Sequence, residues 1–331
     1  VDSGSCKFIG VDDMANDSVR LSQLIPPDTQ AIIGVARSGM TPASIVASML
    51  HLPLLSMRQT KHDIIEAGNG WRIGGDKHLL IDRNSKVVSV DDTCMTGKSI
   101  ANTKLLLQKY YPNAKTACLY VNPLASHKPD IEVQKLEWPH LLEWNLWNSV
   151  LSPNCATDFD GVLCNDCAAW QDDDGDNYLS FIRNAIPKYV TRRCKIPLIV
   201  TARIERYRKP TVEWLTRHGI QCDNLIMHPA NSLRERQADD ISAWKASQFN
   251  QWAKYHRARP RPSLFIESDD RQASRIHQLT NRIPQDNSKK KTGSRPTRRT
   301  TRLATLAMSP HLWEDEYSSR LLNLDGHGLL P

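Results

Sequence analysis

The sequence predicts two α/β domains followed by a basic tail, and three observations carry that prediction. Two stretches, VVSVDDTCMTGKS at 87–99 and CATDFDGVLCN at 155–165, each join a short apolar run to paired carboxylates and a small-residue turn. That is how a strand delivering acidic groups into a loop reads in sequence. Around each stretch, further β-branched runs alternate with amphipathic helical patterns, the mark of sheets with helical crossovers. At 331 residues the chain is long enough for two cores, on a prior of roughly 150 residues per domain.

Charge and cysteine usage narrow the function classes. The net charge of +7 equals the seven charges of Lys289, Lys290, Lys291, Arg295, Arg298, Arg299 and Arg302, which have no acid among them. Basicity therefore belongs to a tail and not to a nucleic-acid-binding face of the folded domains. No apolar run reaches the roughly 18 residues a membrane span needs, and no charged-then-apolar leader opens the chain. A cytoplasmic protein without a membrane partner is expected. The eight cysteines are scattered, and Cys164 and Cys167 alone form a C-x-x-C. Zinc would need further ligands, recruited from residues such as Cys155 and Cys194; reduced, unbridged thiols are the simpler expectation.

The first domain, expected over 1–150, opens with an amphipathic pattern (Val19, Leu21, Leu24) closed by Pro26-Pro27. A strand over Ala31–Val35 leads through Arg37, Ser38 and Gly39 into an apolar helix over Pro42–Leu50. Strand, small-residue turn and helix make an anion-binding nest. Residues 59–83 are polar and carry GNGWRIGGDKH, with Trp71, Arg72, Lys77 and His78. A strand of Val87, Val88 and Val90 ends at Asp91 and Asp92, and Thr93 to Ser99 precede a helix over Ile100–Tyr110. Backbone N–H groups there can converge on a phosphate at the helix N-terminus. Gly97-Lys98-Ser99 suggests a nucleoside-triphosphate P-loop, but that motif needs a glycine where Asp92 stands. A strand over Thr116–Val121 follows, then Trp138, Trp144 and Trp147, which suit either a nucleobase platform or packing at a domain junction.

The 87–99 stretch resembles the phosphoribosyl-pyrophosphate motif of type I phosphoribosyltransferases: hydrophobic strand, acidic pair, small and Thr residues, Thr-Gly, then Ser. The resemblance implies that Asp91 and Asp92 hold the ribose hydroxyls, that Thr93, Thr96, Gly97, Lys98 and Ser99 hold the 5′-phosphate, and that Arg37, Ser38 and Gly39 hold the pyrophosphate. It also implies a hood over 59–83 that closes to exclude water from an oxocarbenium-like transition state; a solvated hairpin is the alternative.

The second domain, expected over 151–284, starts at Cys155–Asn165. Asp158-x-Asp160-Gly161-Val after a short strand resembles motif I of the haloacid-dehalogenase-like (HAD) phosphohydrolases. Pro197–Val200 ends in Thr201, Lys245 lies in a helical stretch with Lys254 as a possible substitute, and Ser263–Ile266 runs into Glu267-Ser268-Asp269-Asp270, matching the remaining motifs in order. The resemblance implies Asp158 as nucleophile, Asp160 as acid and base, Thr201 fixing the phosphoryl group, Lys245 neutralising charge, and Mg²⁺ held by Asp158, Asp160, Glu267 and Asp269. Between motifs I and II the insert is short and carries Asp172-Asp173-Asp174-Gly175-Asp176, so a small helical cap is expected. The acidic run reads as a solvated loop or a calcium-like one, though without an EF-hand's downstream Glu. Arg203, Arg206 and Arg208 suit substrate phosphate or surface pairing with Glu205 and Glu213. Residues 285–331 are expected to be disordered unless bound; no last strand for the second sheet is visible after Ile276, and the tail is the segment left to replace it.

The expected fold class is therefore α/β: two Rossmann-like domains, a type I phosphoribosyltransferase fold followed by a HAD-like fold with a small cap. The expected function is a bifunctional nucleotide enzyme with Mg²⁺ as cofactor, taking phosphoribosyl pyrophosphate and a nucleobase-like or nucleotide substrate. Two alternatives stay open: a nucleotide phosphatase with a ligand-sensing first half, and a nucleic-acid end-processing phosphatase localised by its tail. A homo-oligomer is compatible with the sequence, which does not name the base.

Overall fold

The computed structural model describes residues 7–68, 81–137, 140–149, 152–255, 263–280 and 303–306. The chain divides into two compact units, Ile9–Trp138, and Val1–Phe8 with Pro139–Pro331. In chain order its elements are β1 (Lys7–Ile9), α1 (Val11–Leu24), β2 (Ala31–Val35), α2 (Met40–Leu50), β3 (Leu54–Arg58), β4 (Asp63–Gly68), β5 (Val87–Cys94), α3 (Lys98–Tyr110), β6 (Lys115–Val121), β7 (Ile131–Lys135) and β8 (His140–Leu142). They continue with β9 (Cys155–Thr157), α4 (Asp176–Asn184), β10 (Leu198–Ile204), α5 (Arg208–Arg217), β11 (Leu225–His228), α6 (Leu233–Ala238), α7 (Ile241–Tyr255), β12 (Ser263–Ile266), α8 (Asp270–Thr280) and β13 (Leu303–Leu306). No helix among the described residues is long and apolar enough to cross a membrane.

In the N-terminal unit six strands run in the order β4-β3-β2-β5-β6-β7. All pairs are parallel except β3 with β4, which is antiparallel. Alternate residues of β2 face opposite layers: Ile33 and Val35 cluster with Leu106 and Leu107 of α3, while Gly34 abuts Met40 and Ala43 of α2. A sheet covered on both faces needs apolar residues at every position, which is why β2 reads AIIGV. The order reverses between β2 and β5, so the turns after these two strands form the crevice where doubly wound sheets place their ligands. Trp71, Arg72, Lys77 and His78, where a hood is expected, lie outside the described residues; β4 precedes them.

The C-terminal unit has five parallel strands in the order β11-β10-β9-β12-β13, and β8 pairs with β1 in a separate two-stranded ribbon. Its strands are two-faced as well. Cys155, Ile199, Leu264 and Ile266 join one core with α4 and α5; Ala156, Leu198, Val200 and Phe265 join another with α7 and α8. The reversal falls between β9 and β12, which end at Thr157 and Ile266.

Three expectations change. The small cap is reduced to one helix, α4, whose Tyr178, Phe181 and Ile182 are buried in the core, so it packs as the β9–β10 crossover. The acidic run beside it is exposed at Asp173, Gly175 and Asp176 but ion-paired at its other two acids, and it is not, among the described residues, a cation-binding cluster. Asp172 pairs with Arg236 at 2.8 Å, Asp174 with Arg206 at 2.6 Å, and Asp173 caps the backbone of Gly175 and Tyr178. The tail expected without structure supplies β13, parallel to β12 with Ser263 opposite Leu303. LATL follows the last cation of the basic run, and an unpaired β12 edge is a ready template for such a segment. The rest of 281–331 lies outside the described residues.

Candidate functional site

The first candidate site lies at the β2/β5 reversal. β5 does not stop at the acidic pair: ladder pairing continues through Asp91 opposite Cys118 to Cys94 opposite Val121. The loop is thereby shortened to Met95-Thr96-Gly97, and α3 starts at Lys98. Gly97 has φ 87°, and a side chain there would collide with the backbone of His127. Only glycine makes that turn without strain. Ser126 holds the loop from the other side, its hydroxyl and amide both donating to the Thr96 carbonyl, at 2.8 and 3.0 Å.

Asp91 and Asp92 are 6% and 2% exposed. Asp92 Oδ1 accepts the Thr93 amide at 2.8 Å and the Ser38 hydroxyl at 3.0 Å. Asp91 Oδ1 accepts the Asp92 amide, and its Oδ2 accepts the Ser99 hydroxyl at 3.0 Å. Burial first, and then the neighbouring Asp92 charge, push the Asp91 carboxyl well above its ordinary value. Ser38, from the β2–α2 turn that also carries the exposed Arg37 and buried Gly39, thus meets the acidic pair, as do Thr93 and Ser99. Thr96 and the exposed Lys98 lie further along the loop, where the Lys98 amide donates to Thr96 Oγ1 at 3.3 Å. Gln59 was not singled out in the sequence. Its amide reaches from beyond β3 to the Ser99 carbonyl and hydroxyl and to Thr103 Oγ1, at 3.2, 3.2 and 3.0 Å. It sits in a polar stretch that offers no local signal.

The second candidate site lies at the β9/β12 reversal. Lys245, on α7, is 1% exposed and extends its ammonium between two carboxylates, 2.7 Å from Asp158 Oδ2 and 2.7 Å from Glu267 Oε2, with Gln272 Oε1 at 3.1 Å. Burial works against the ammonium, but the Asp158 and Glu267 charges outweigh it and hold Lys245 above the usual lysine range. Two buried carboxylates against one cation leave an excess of negative charge. Burial and the Asp158 charge accordingly push Glu267 up to about 8. Thr201, 1% exposed, lies in the middle of β10, which runs on to Ile204, and its Oγ1 accepts the Arg203 amide at 3.2 Å. Gly161 has φ 76°, and a side chain there would strike Ser268 and Asp166.

The remaining carboxylates are engaged elsewhere. Asp160 is paired with the buried Arg203 at 2.6 Å, and the exposed Asp269 caps α8 by accepting the Gln272 amide at 2.8 Å. Of the three arginines considered as phosphate contacts, Arg203 holds Asp160, Arg206 holds Asp174 and Arg208 holds Glu205. Among the described residues no group of three or more His, Cys, Asp or Glu is gathered as a metal centre. One atom nevertheless suits a hard cation: Asp158 Oδ1 is buried and has no hydrogen-bond partner. A carboxylate oxygen in that state is the donor Mg²⁺ takes. Cys164 donates to Asp160 Oδ1 at 3.3 Å, so its half of the C-x-x-C is turned to that carboxylate. Trp147, 9% exposed, belongs to the C-terminal core beside Tyr189 and is not a base platform; Trp138 lies outside the described residues.

Residues 8–154 match the family model of the phosphoribosyl transferase domain, and this part of the chain is a type I phosphoribosyltransferase domain. The orotate phosphoribosyltransferase of Lactobacillus johnsonii is 33% identical over 98 residues, which span 30% of this chain and 43% of that protein. The chain thus matches less than half the length of that curated relative. Among solved structures, a purine phosphoribosyltransferase from Pyrococcus horikoshii is 25% identical, with a TM-score of 0.32, over 41% of this chain and 92% of that one. An orotate phosphoribosyltransferase from Aeropyrum pernix is 19% identical, with a TM-score of 0.28, over 38% and 70%.

Proposed function

We propose that the N-terminal unit transfers a phosphoribosyl group from phosphoribosyl pyrophosphate to a base-like acceptor. The observation that carries this is the Ser38–Asp92 hydrogen bond, which joins the two turns of the β2/β5 crevice into one assembly. Asp91 and Asp92 offer acceptors to the ribose hydroxyls, and the Thr96–Ser99 amides at the start of α3 offer donors to the 5′-phosphate. The match of residues 8–154 to the phosphoribosyl transferase domain supports the reading. The test is mass spectrometry of products formed from phosphoribosyl pyrophosphate, Mg²⁺ and a panel of nucleobases. A base-plus-ribose-5-phosphate adduct is expected; release of free ribose phosphate alone would contradict transfer.

For the C-terminal unit the geometry favours phosphate-monoester hydrolysis through an aspartyl phosphate. The supporting observation is Lys245 held between Asp158 and Glu267 at the β9/β12 reversal. Asp158 attacks phosphorus, Asp160 transfers the proton, Thr201 holds a phosphoryl oxygen and Lys245 offsets the charge gathered there. Mg²⁺, held through the buried Asp158 Oδ1, would stabilise charge on the transferring phosphoryl group. Hydrolysis of the first unit's product would draw a reversible transfer forward. Asp158→Asn should abolish hydrolysis across a panel of nucleotides and sugar phosphates while leaving phosphoribosyl transfer intact. Wild-type hydrolysis by Asp158→Asn, or activity in excess chelator, would contradict the assignment.

A further inference from the structure

Arg203 is fully buried, at 0% exposure, whereas the Asp160 side chain it holds is 22% exposed. Its Nε donates to Asp160 Oδ1 at 3.2 Å and to Oδ2 at 3.0 Å, and its Nη2 donates to Oδ1 at 2.6 Å. Nη1 donates to Thr211 Oγ1 at 3.3 Å, and the Phe159 ring centre lies 3.9 Å from the guanidinium carbon. Burial opposes the charge, yet Asp160 outweighs it and keeps Arg203 above its usual range. Burying a guanidinium is costly, and a pair kept only for packing gains little over apolar residues of the same size. Here the cation is sealed behind and the carboxylate opens in front. The load on the two oxygens is also unequal. Among the described residues, Oδ1 takes Nη2, Nε and the Cys164 thiol, while Oδ2 takes Nε.

We propose that Arg203 is a positioning residue for the second site: it clamps Asp160 through Oδ1 so that Oδ2 is presented as the proton-transfer atom for alkyl phosphate monoesters. The proposal rests on the hydrolase reading above. In the first step an Asp158 oxygen bonds to phosphorus as the ester P–O bond breaks, and the proton on Asp160 Oδ2 passes to the departing oxygen. Water then attacks phosphorus and returns a proton to Oδ2 as the bond to Asp158 breaks, releasing inorganic phosphate. Alkoxides are poor leaving groups, so such substrates depend on an acid held at a fixed angle. A forked guanidinium fixes a carboxylate in a way a lysine ammonium does not.

The test is a leaving-group series from phenyl phosphate to p-nitrophenyl phosphate, plus one alkyl ester, adenosine 5′-monophosphate. The single-turnover rate of leaving-group release, which reports the first step alone, is measured for the wild-type chain, Arg203→Met, Arg203→Lys and Asp160→Asn. Loss of a positioned acid should cost about 10²-fold on phenyl phosphate and on the alkyl ester. On p-nitrophenyl phosphate, whose leaving group departs without protonation, the loss should stay below about 10-fold. Arg203→Lys and Asp160→Asn should share this steepened dependence, and melting curves identify any variant that fails to fold; Arg203→Lys, which retains the buried charge, then carries the comparison. Equal losses across the series would overturn the positioning role and leave the hydrolase reading standing. A wild-type chain inactive on every ester would overturn the hydrolase reading itself.

Discussion

The Ser38 hydroxyl donates to Asp92 Oδ1 at 3.0 Å across a separation of 54 residues. Two turns that are far apart in sequence are thereby fixed against each other at the point where strand order reverses. Ser38→Ala should cost about 1 kcal/mol of stability, the net worth of a typical hydrogen bond. Because the turn beside the acidic pair loses its anchor, the KM for phosphoribosyl pyrophosphate should rise more than kcat falls. Denaturant titration and steady-state kinetics check the two effects.

Lys245 is the sole cation between Asp158 and Glu267 among their described contacts. Lys245→Met should destabilise the C-terminal unit by about 3–5 kcal/mol, because it leaves buried carboxylates uncompensated. Lys245→Met/Glu267→Gln should recover part of that loss without restoring hydrolysis. Additive losses in the double variant, measured by chemical denaturation, would contradict the coupling.

Asp91 gives stability a predictable pH dependence. Its carboxyl is raised by burial and by Asp92, so the folded chain binds that proton more tightly than the unfolded chain. Asp91's contribution is therefore complete below the unfolded value of about 3.9 and is lost as pH rises through the raised folded value. Asp91→Asn cannot titrate. Its Tm should exceed the wild type's at about pH 8, and the gap should close toward pH 4, which calorimetric melts at a series of pH values would record.

Deleting residues 285–331 removes β13 and bares the β12 edge. The truncated chain should melt at a lower temperature and self-associate more readily than the full chain, while the N-terminal unit keeps its activity. An unchanged melting temperature would remove β13 from the account.

Much of this architecture could be read from sequence because burial on both faces of a parallel sheet demands unbroken apolar runs, as in Ala31–Val35, Val87–Val90 and Leu198–Val200. The acidic residues stand out against those runs, so Asp91, Asp92, Asp158 and Glu267 were all visible. What stayed hidden depends on distance in the chain. Gln59 looks like any polar residue of a loop until α3 is placed beside it. Arg203 stood in a basic stretch with Arg206 and Arg208 and shared their reading; only the packing of Phe159 and Thr211 around it separates a buried clamp from surface pairs. The place of β13 within the tail is not legible because a parallel edge strand can be four residues long and lie well beyond the helix that precedes it.

The central claim is that the β2/β5 crevice binds phosphoribosyl pyrophosphate through its acidic pair. Titration calorimetry of phosphoribosyl pyrophosphate with Mg²⁺ into the full chain tests it most directly. Saturable binding is expected, weakened about tenfold or more in Asp91→Asn/Asp92→Asn, since a charge-assisted hydrogen bond is worth about 1.5–3 kcal/mol. No heat of binding from the wild-type chain, or equal affinity in the double variant, would contradict it.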